Sequence, residues 1–292
     1  MQETLLRAWT GRSGFEGRSS FKTWLYRIAT NACLNALERR QRRVLPPDIV
    51  PATEFAGNEA VWDHEIPWLQ PYPDEWLEPS APTGAEPDAV VVARETIELT
   101  YLAAIQHLPP RQRAILILRD SLGWSAKEVA TLLELSVPSV NSALQRARAT
   151  MRARLPERRL DWSTITEPTD DERAVLRRYM DAIEQADSAA LTALLREDAR
   201  QLMPPAALWF DGRDSISALY SWVLAPGSVG DFRMLATAAN RQPAAACYVR
   251  ANGESEFCLV GLNILRIEGG EIAEITSFTP ELCWAFDLPS TL

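Results

Sequence analysis

Polar and basic side chains recur in one stretch near the middle of the chain, SAKEVATLLELSVPSVNSALQRARATMRARL, which runs from Ser125 to Leu155. Asn and Gln can hydrogen-bond to adenine edges, and Arg can bind guanine or phosphate. The apolar residues fall at helical spacing and are interrupted once, by ELSVP, which predicts two helices joined by a tight turn. In such a helix-turn-helix the second helix enters a DNA major groove. The predicted DNA contacts are Ser125, Lys127, Ser136, Ser139, Asn141, Ser142, Gln145, Arg146 and Arg148.

The apolar residues of the same stretch predict a core that the two helices share. Ser125, followed three residues later by Glu128, has the spacing of a capping box and predicts where the first helix begins. The residue pattern alone leaves one alternative open, an αα-hairpin within an ordinary helical bundle. The residues of the predicted core are Val129, Leu132, Leu133, Val137, Val140 and Leu144.

A second group of residues suited to nucleic acid lies near the N-terminus, in GRSSFKTWLYRIATNACLNALERRQRR. Most of this segment, from Ser20 to Arg43, is predicted to be one helix. Unpaired bases stack on aromatic side chains at about 1–3 kcal/mol per base, and a basic groove holds the strand. We therefore expect a platform for single-stranded DNA, with the alternative that Trp24 and Leu25 form the core of a small helical domain. The platform would comprise Arg18, Phe21, Lys22, Trp24, Tyr26, Arg27, Asn31, Asn35 and Arg39.

The distribution of charge agrees with two separate segments that bind an anionic partner. The 292-residue chain has a net charge of −9, which argues against a protein that coats nucleic acid over its whole surface. Residues 1–44 nevertheless contain nine Lys and Arg against three acidic residues, and residues 105–159 contain ten against four. Residues 45–104 contain one basic residue against twelve acidic ones, and residues 160–292 contain ten against twenty. The anionic partner is therefore expected for the two basic segments alone.

Cysteine usage and hydropathy indicate where the protein works. The four cysteines, Cys33, Cys247, Cys258 and Cys283, are scattered and form no CxxC pair. That pattern predicts neither a zinc site nor a disulfide framework, and it suits a reducing compartment. Neither a run of about 18 apolar residues nor a signal-peptide core is present. We expect a cytoplasmic protein without a metal or a cofactor.

Residues 45–88 contain nine of the twenty prolines of the chain and read as a linker. Its segment EIPWLQPYPDEW carries Trp68, Tyr72 and Trp76 within nine residues. Solvated linkers seldom keep three aromatic side chains so close together. We expect these residues to be exposed between the prolines and to dock on the C-terminal domain or on the helix-turn-helix domain.

The pattern changes to mixed helix and strand after Pro168. Thr169 and Glu172 form a second capping box at the start of an amphipathic helix. Short helices are predicted around 189–196 and 213–223, beside strand-like pieces at 199–203 and 207–211. Four strand-like runs near 231–238, 244–251, 256–267 and 271–278 follow. Helices followed by consecutive strands predict an α+β domain with a curved antiparallel sheet.

The segment HLPPRQRAILILRDSLGWSAKEVATLLELSVPSVNSALQRARATMRARL resembles region 4 of sigma factors of the extracytoplasmic-function (ECF) class. QETLLRAW and GRSSFKTWLYRIATNACLNALERRQRR resemble regions 2.2 to 2.4 of the same family, in the same order. The resemblance implies an RNA polymerase sigma factor, whose helix-turn-helix reads the −35 promoter element and whose N-terminal platform binds and opens the −10 element. It implies promoter DNA and the β′ and β subunits of core polymerase as partners. Docking on the β′ coiled coil would involve Gln2, Glu3, Leu6 and Trp9.

Two features depart from the family pattern. The chain begins inside the region 2 motif, as a GTG codon read as a start would produce, so an upstream in-frame extension is expected to add at least one helix. Asn141 and Ala143 stand where many relatives carry basic residues, so the base preferences of relatives do not transfer to this chain.

Residues 168–283 resemble the SnoaL-like, cystatin-like α+β cone. The fold implied is multidomain, with an all-α sigma region 2 that is truncated at its N-terminus, an all-α helix-turn-helix region 4, and an α+β cone. WLQPYPD and the terminal LPSTL are similar to the sigma-factor group that carries this cone as a C-terminal extension. The expected domains are residues 1–44 for partial region 2, 45–96 for the Pro-rich acidic linker, 97–156 for region 4, 157–167 for a second linker and 168–292 for the SnoaL-like domain.

Catalysis by the cone is not expected. Isomerases and cyclases of this fold use a carboxylate base, often with a His or Tyr partner. This domain contains no His, and Asp211, Asp214 and Asp231 lie in turns or at element edges. We expect the cone to regulate the sigma factor in cis, and it is a candidate site for a small-molecule ligand. The alternatives are a one-component regulator with a ligand-binding cone and, less favoured, a SnoaL-type enzyme.

Overall fold

The computed structural model describes residues 2–15, 17, 20–39, 41–54, 63–76, 99–121, 123–154 and 168–292. Contacts divide the chain into two compact units. The described residues up to 42 and those from 100 to 154 form the first unit, and residues 43–76, Leu99 and 168–292 form the second. Among the described residues, no helix is long and apolar enough to cross a membrane, and no group of three His, Cys, Asp or Glu side chains could hold a metal ion.

The first unit is helical. Pro110 stands at the first position of its fourth helix, where the missing N–H costs nothing. A π-helical turn, Ile117–Ser121, follows that helix. Leu99 begins the third helix and is grouped with the second unit. The helices are α1 (Gln2–Thr10), α2 (Phe21–Arg39), α3 (Leu99–Ile105), α4 (Pro110–Leu116), α5 (Ala126–Leu133) and α6 (Val137–Arg154).

Helices α5 and α6 form the expected helix-turn-helix. The Ser125 hydroxyl accepts from the Glu128 backbone N–H, and the Glu128 carboxylate accepts from the Ser125 backbone N–H, so the capping box is present. Glu134 ends α5 in the left-handed conformation, with φ of 56°. That residue turns the chain into α6, whose first turn is capped by the Ser136 hydroxyl accepting from the Ser139 backbone N–H at 3.3 Å.

The apolar faces of α5 and α6 meet in one core with α3 and α4. Val129, Val140 and Leu144 are buried in it, as the sequence pattern predicts. The expectation was wrong for Val137, which is 39% exposed. Val137 is the first residue of α6 and lies one turn before the position where the apolar side of that helix reaches the core.

The second unit packs helices on one face of a six-stranded sheet. Thr169 caps its first helix together with Glu172, as the spacing predicts. The helices are α7 (Asp170–Glu184), α8 (Ser188–Thr192) and α9 (Arg213–Val223). The strands are β1 (Leu195–Leu202), β2 (Trp209–Asp211), β3 (Asp231–Ala239), β4 (Gln242–Arg250), β5 (Cys258–Glu268) and β6 (Glu271–Phe278).

The sheet is mixed rather than wholly antiparallel. Its order is β2-β1-β6-β5-β4-β3, and β1 pairs with β6 in parallel while the other neighbours are antiparallel. The expectation of a wholly antiparallel sheet was wrong, because only the consecutive strands β3, β4, β5 and β6 are joined by hairpins. β1 lies far from β6 along the chain, with α9 and four strands between them, and such a connection allows parallel pairing.

Both faces of the sheet are buried at its central strands, whereas the edge strand β3 is partly exposed. Leu265 on β5 belongs to the core that α7 and α9 cover. Its neighbour Ile264 points to the opposite face by strand alternation and is only 1% exposed. The C-terminal segment lies against this part of the domain, since the Tyr248 hydroxyl donates to the Pro289 carbonyl at 2.9 Å and Thr291 bridges to Cys258.

The described part of the Pro-rich stretch, residues 43–76, is named here the linker segment. It packs with the C-terminal domain, although the sequence suggests a separate element. Val44 pairs with Trp68, and the Trp68 indole donates to the Asp63 carbonyl at 2.7 Å. Trp68 is 5% exposed. The prediction that it is an exposed aromatic residue was therefore wrong, because the linker segment folds onto itself and buries it.

Candidate nucleic-acid interface

The outward face of α6 carries the polar side chains expected to contact DNA. Along the helix, buried and exposed positions alternate with the helical period, because Val140, Ala143, Leu144 and Ala147 turn to the core. The opposite face is therefore free of apolar cover. The exposed residues of this face are Ser139, Asn141, Ser142, Gln145, Arg146 and Arg148.

The two arginines of this face differ in how they are held. The Arg146 guanidinium donates to the Ser142 hydroxyl one turn earlier, at 2.7 Å. Arg148 donates from Nε and Nη2 to both carboxylate oxygens of Asp120, at 2.9 and 2.7 Å. These hydrogen bonds to Asp120 raise the pKa of Arg148 above its ordinary value. Arg146 is thus available to a ligand through a small rearrangement, whereas Arg148 already has a carboxylate partner within the unit.

The remaining helix-turn-helix candidates lie at the starts of the two helices. Ser125 and Ser136 are exposed, and their hydroxyls cap α5 and α6. The Ser136 and Ser139 hydroxyls are 2.8 Å apart. Lys127 is exposed in the first turn of α5. Hydrogen bonds from Ser125 lower the pKa of Glu128, which keeps that carboxylate charged at the positive end of the helix.

The N-terminal platform has one buried and two exposed aromatic residues. Phe21 and Tyr26 are exposed, whereas Trp24 is 9% exposed. The Trp24 ring lies 5.3 Å from that of Phe15 and 5.6 Å from that of Phe21. Trp24 therefore packs against Phe21 in this conformation, and its own ring is not exposed for stacking with a base.

The polar members of the platform lie along α2. Asn31 and Asn35 are exposed on the helix. Arg18 and the side chains of Lys22 and Arg39 lie outside the described residues.

Tyr26 and Arg27 contact the helix-turn-helix within the first unit. The Tyr26 ring meets the Trp124 ring edge-on at a centroid distance of 5.6 Å. The Arg27 guanidinium lies 3.3 Å from the Glu134 carboxylate in the turn between α5 and α6. Sequence reasoning missed Trp124 and Glu134, since nothing local in the sequence shows that the N-terminal helix packs there.

The residues expected to dock on core polymerase lie on α1, with the apolar side of that helix exposed. Gln2 and Glu3 are exposed, as are Leu6 and Trp9, and Trp9 reaches 66%. The neighbouring Leu5 is exposed as well. A row of large apolar side chains in solvent is a feature of interaction surfaces.

The linker segment is held by the turn between β3 and β4. The Tyr72 backbone N–H donates to the Asn240 side-chain oxygen at 2.9 Å, and the Asn240 N–H donates to the Tyr72 carbonyl at 2.9 Å. The Trp76 ring lies 5.8 Å from the Tyr72 ring and 5.9 Å from that of Trp284. Sequence reasoning missed Asn240, although an Asn between two predicted strands is a signal for a tight hairpin turn.

The interior of the cone contains five neutral polar side chains from five elements, named here the hydroxyl–amide ring. Tyr220 donates to the Gln201 Oε1 at 3.1 Å, and Gln201 donates to the Ser277 hydroxyl at 2.8 Å. Ser277 donates to the Asn263 Oδ1 at 2.6 Å, and Asn263 donates to the Tyr179 hydroxyl at 3.0 Å. The two tyrosine hydroxyls are 3.3 Å apart.

The hydroxyl–amide ring has one direction of donation. The Tyr220 proton goes to Gln201, which can only accept there, so Tyr179 must donate to Tyr220. Each member then donates to the next, and the ring closes. Burial raises the pKa of both tyrosines above the ordinary value, well above it for Tyr179, which keeps both hydroxyls protonated as donors.

The acidic residues considered for catalysis lie elsewhere. Asp211 stands 3.5 Å from Arg200, and Asp231 stands 2.6 Å from Arg250. Asp214 lies in the first turn of α9, where a carboxylate stabilises the helix. None of the three belongs to the hydroxyl–amide ring.

Three family descriptions match separate parts of the chain. Sigma-70 region 2 matches residues 1–43, and Sigma-70, region 4 matches residues 98–151. The SnoaL-like domain matches residues 176–275.

Relatives match the chain over its full length and over the sigma regions alone. An ECF RNA polymerase sigma factor, SigG of Mycobacterium tuberculosis, is 39% identical over 293 residues, which span 100% of this chain and 77% of the relative. The RNA polymerase sigma-H factor of Pseudomonas aeruginosa is 34% identical over 151 residues, or 50% of this chain and 66% of the relative. The crystal structure of the extracytoplasmic function sigma factor SigJ of Mycobacterium tuberculosis aligns with a TM-score of 0.56 at 15% identity, covering 99% of this chain and 91% of that one, and so shares its fold.

Proposed function

The chain belongs to the extracytoplasmic-function (ECF) family of RNA polymerase sigma factors, and from this membership we propose how its surfaces divide the work of promoter recognition. The predicted family is confirmed, as is the SnoaL-like fold of the C-terminal domain. Membership implies core polymerase and promoter DNA as partners. What remains to be assigned is the role of each surface.

We propose that the exposed face of α6 reads the −35 element. The observation that carries this proposal is the alternation on α6, where polar residues face outward above a fully buried apolar side. Arg146, Asn141 and Gln145 lie on that face and have the chemistry for base edges. Ser136 and Ser139 at the start of α6 are suited to phosphate, because helix N-termini attract anions. Arg148, being paired with Asp120, positions the helix rather than reading bases.

We propose that α2 binds the −10 element as single-stranded DNA and that α1 docks on the β′ subunit. Phe21 and Tyr26 offer exposed rings for stacking, with Arg27 beside them. The exposed Leu6 and Trp9 on α1 supply the apolar surface for the polymerase. In this arrangement Trp24 contributes by supporting Phe21. The work takes place where RNA polymerase is, in the cytoplasm.

We propose that the C-terminal domain is a regulator in cis and not an enzyme. The polar side chains of the hydroxyl–amide ring in its interior are neutral and are engaged with one another. Its backbone turn at Asn240 holds the linker segment that joins the two sigma regions. A domain that holds this segment can alter how the two regions reach a promoter. A small-molecule ligand in the cone would act by changing the same contacts.

In vitro transcription with purified core polymerase tests this division of roles. We expect the full chain to direct initiation from a promoter selected out of a randomised DNA library. Arg146→Ala should reduce initiation through weaker −35 binding, and Phe21→Ala should reduce open-complex formation while leaving closed-complex binding nearly intact. Selection of no promoter by the holoenzyme would contradict the assignment, as would unchanged initiation by both variants.

Regulation in cis is tested at the contact between the linker segment and the domain. Trp68 is buried, so its replacement would disturb folding. Trp76→Ala is the sharper variant, because its ring is half-exposed and contacts only the rings of Tyr72 and Trp284 among the described aromatic residues. A change in transcription by Trp76→Ala, with no change for the matched exposed Trp222→Ala on α9, supports the proposal. Equal transcription by wild type and both variants at low and high salt would contradict it.

A further inference from the structure

Three successive residues at the β3–β4 turn, Asn240, Arg241 and Gln242, are named here the clamp turn, and they contact the stretch that joins the sigma regions at Tyr72, at Asp74 and at Leu99. Asn240 exchanges two hydrogen bonds with Tyr72. The Arg241 N–H donates to the Asp74 carboxylate at 2.7 Å. The side-chain oxygen of Gln242 accepts from the backbone N–H of Leu99 at 3.2 Å. Leu99 is the first residue of α3, so region 4 begins at the clamp turn itself.

The backbone conformation and the burial of the clamp turn fit it for holding the linker segment. Asn240 and Arg241 both have positive φ, 56° and 58°, which is the conformation of a two-residue type I′ hairpin turn. Asn adopts it readily, and here its side chain points at the linker segment instead of at solvent. Asn240 is completely buried and Gln242 nearly so. Pro73 adds a bridge to Ala239 at the end of β3.

The other end of the linker segment is anchored close to region 2. Helix α2 ends at Arg39, and the Arg43 side chain already donates to Gln70 at 3.1 Å. The Trp209 indole then donates to the Val50 carbonyl at 3.0 Å, and the Thr53 N–H donates to the Trp209 carbonyl at 2.8 Å. Only about ten residues therefore separate the end of α2 from the first attachment to the C-terminal domain, at Val50. Leu99, which begins α3, is itself attached.

This arrangement replaces a long tether with two fixed points. An unattached stretch from 40 to 98 would span about 40 Å as a fully flexible coil, and more where its prolines extend it, and it would tolerate many separations. On DNA, each added base pair moves the −35 element by about 3.4 Å and rotates it by about 35° relative to the −10 element. A tether fixed at both ends to one domain cannot follow such changes freely.

We propose that the clamp turn sets the spacing between the −35 and −10 elements that this sigma factor accepts. The proposal rests on the promoter-recognition roles given above and extends them to a specificity-determining role for Asn240, Arg241 and Gln242. None of these three residues touches DNA in this scheme. The clamp turn acts by limiting the positions that the two DNA-binding regions can take at once.

The test measures initiation by full-chain holoenzyme on a selected promoter whose spacer is changed by one and two base pairs in each direction. Gln242→Met combined with Asn240→Gly removes the two side-chain oxygens that accept from Leu99 and Tyr72, and Gly keeps the positive φ without strain. Wild type should lose about tenfold or more at the outer spacers, since DNA or protein must then deform. The double variant should stay within about threefold of its optimum across the series, as a flexible tether allows.

Conservative and matched variants separate the clamp from a general effect. Gln242→Glu with Asn240→Asp retains both acceptor oxygens and should show the wild-type profile. Asn252→Gly changes an Asn in another turn of the same domain, and this variant should also show the wild-type spacer profile. If the double variant does not fold, Gln242→Met releases only the Leu99 end and should broaden the profile by itself.

The outcomes distinguish this inference from the proposed function. A folded double variant with the wild-type spacer profile overturns the clamp, and so does a wild type that accepts all spacers equally. In both cases initiation still depends on the chain, and the promoter-recognition roles stand. Failure of every holoenzyme, wild type included, to initiate from any selected promoter would instead overturn the proposed function.

Discussion

Replacing Tyr179 with Phe tests whether the hydroxyl–amide ring holds the cone together. The hydroxyl accepts from Asn263 at 3.0 Å and donates to Tyr220 at 3.3 Å, and Tyr179 is completely buried. Phe fits the same space, so the substitution removes two hydrogen bonds and little else. One amide N–H of the half-buried Asn263 then loses its acceptor, and the ring is opened.

The expected cost follows from the burial of the ring. A buried polar group left without its partner costs about 1–3 kcal/mol. Because each ring member donates to the next, polarisation along the ring is lost as well, which places the cost toward the upper part of that range. For a unit of this size, about 2 kcal/mol lowers the unfolding temperature by roughly 4–8 °C. Ser277→Ala should cost less, because Ser277 is half-buried and water can replace its hydroxyl.

Differential scanning calorimetry of the full chain measures the effect on the transition of the second unit. Tyr72→Phe is the matched control, since it removes a hydroxyl from a residue of the same unit that is 40% exposed. We expect Tyr179→Phe to lower the transition temperature clearly more than Ser277→Ala, and Tyr72→Phe to leave it nearly unchanged. If Tyr179→Phe matches Tyr72→Phe, the ring does not stabilise the cone and the reasoning fails.

Arg146→Ala should weaken binding to the selected promoter by about 1–3 kcal/mol if the side chain reads a base, measured by fluorescence anisotropy over a range of salt; unchanged affinity and salt slope would remove α6 as the reader. Arg148→Ala should instead lower the stability of the first unit by about 1 kcal/mol, because it loses its carboxylate partner Asp120, and should leave the salt slope of DNA binding alone. Burial raises the pKa of Cys247 to about 12 and that of Cys283 to about 12. An unfolded thiol ionises near pH 9, whereas both thiols stay protonated in the folded protein up to about pH 12. Their contribution to the free energy of unfolding is therefore complete below about pH 9. It should fall above it by about 1 kcal/mol per pH unit for each thiol, and Cys247→Ala should flatten the alkaline part of a stability–pH curve.

Local features were predictable because a few neighbouring residues determine them. The capping boxes at Ser125 and Thr169 follow from side chains three residues apart, and both are present. The strand-like runs from 231 to 278 coincide with four observed strands, because alternation and turn residues mark each of them. The exposed face of α6 was equally readable, since the helical period assigns each side chain to a face.

Features that join distant parts of the chain were not predictable from the sequence. Tyr72 and Asn240 are 168 residues apart, and their reciprocal hydrogen bonds depend on how the linker segment meets a hairpin turn. The burial of Trp68 depends on Val44 pairing beside it. The contact of Arg27 with Glu134 likewise spans two regions that the sequence shows only as separate motifs. Composition suggested that the aromatic residues of the linker would dock, but it contained no information about which of them would be covered.

The nature of the linker contacts bears on how regulation in cis could work. Charge asymmetry between the acidic linker and the basic sigma regions suggests an electrostatic association, which salt would weaken. Apart from the Asp74 carboxylate, which accepts from the Arg241 N–H, the contacts of the linker segment are of another kind. Tyr72, Thr53 and Leu99 are all held through backbone N–H groups that donate to neutral oxygens, in surroundings that are partly or fully buried. Such bonds are little affected by ionic strength, whereas binding of the basic regions to DNA falls steeply with it. Salt alone should therefore separate the sigma factor from its promoter without releasing the linker segment from the cone, and release would require a change in the clamp turn itself.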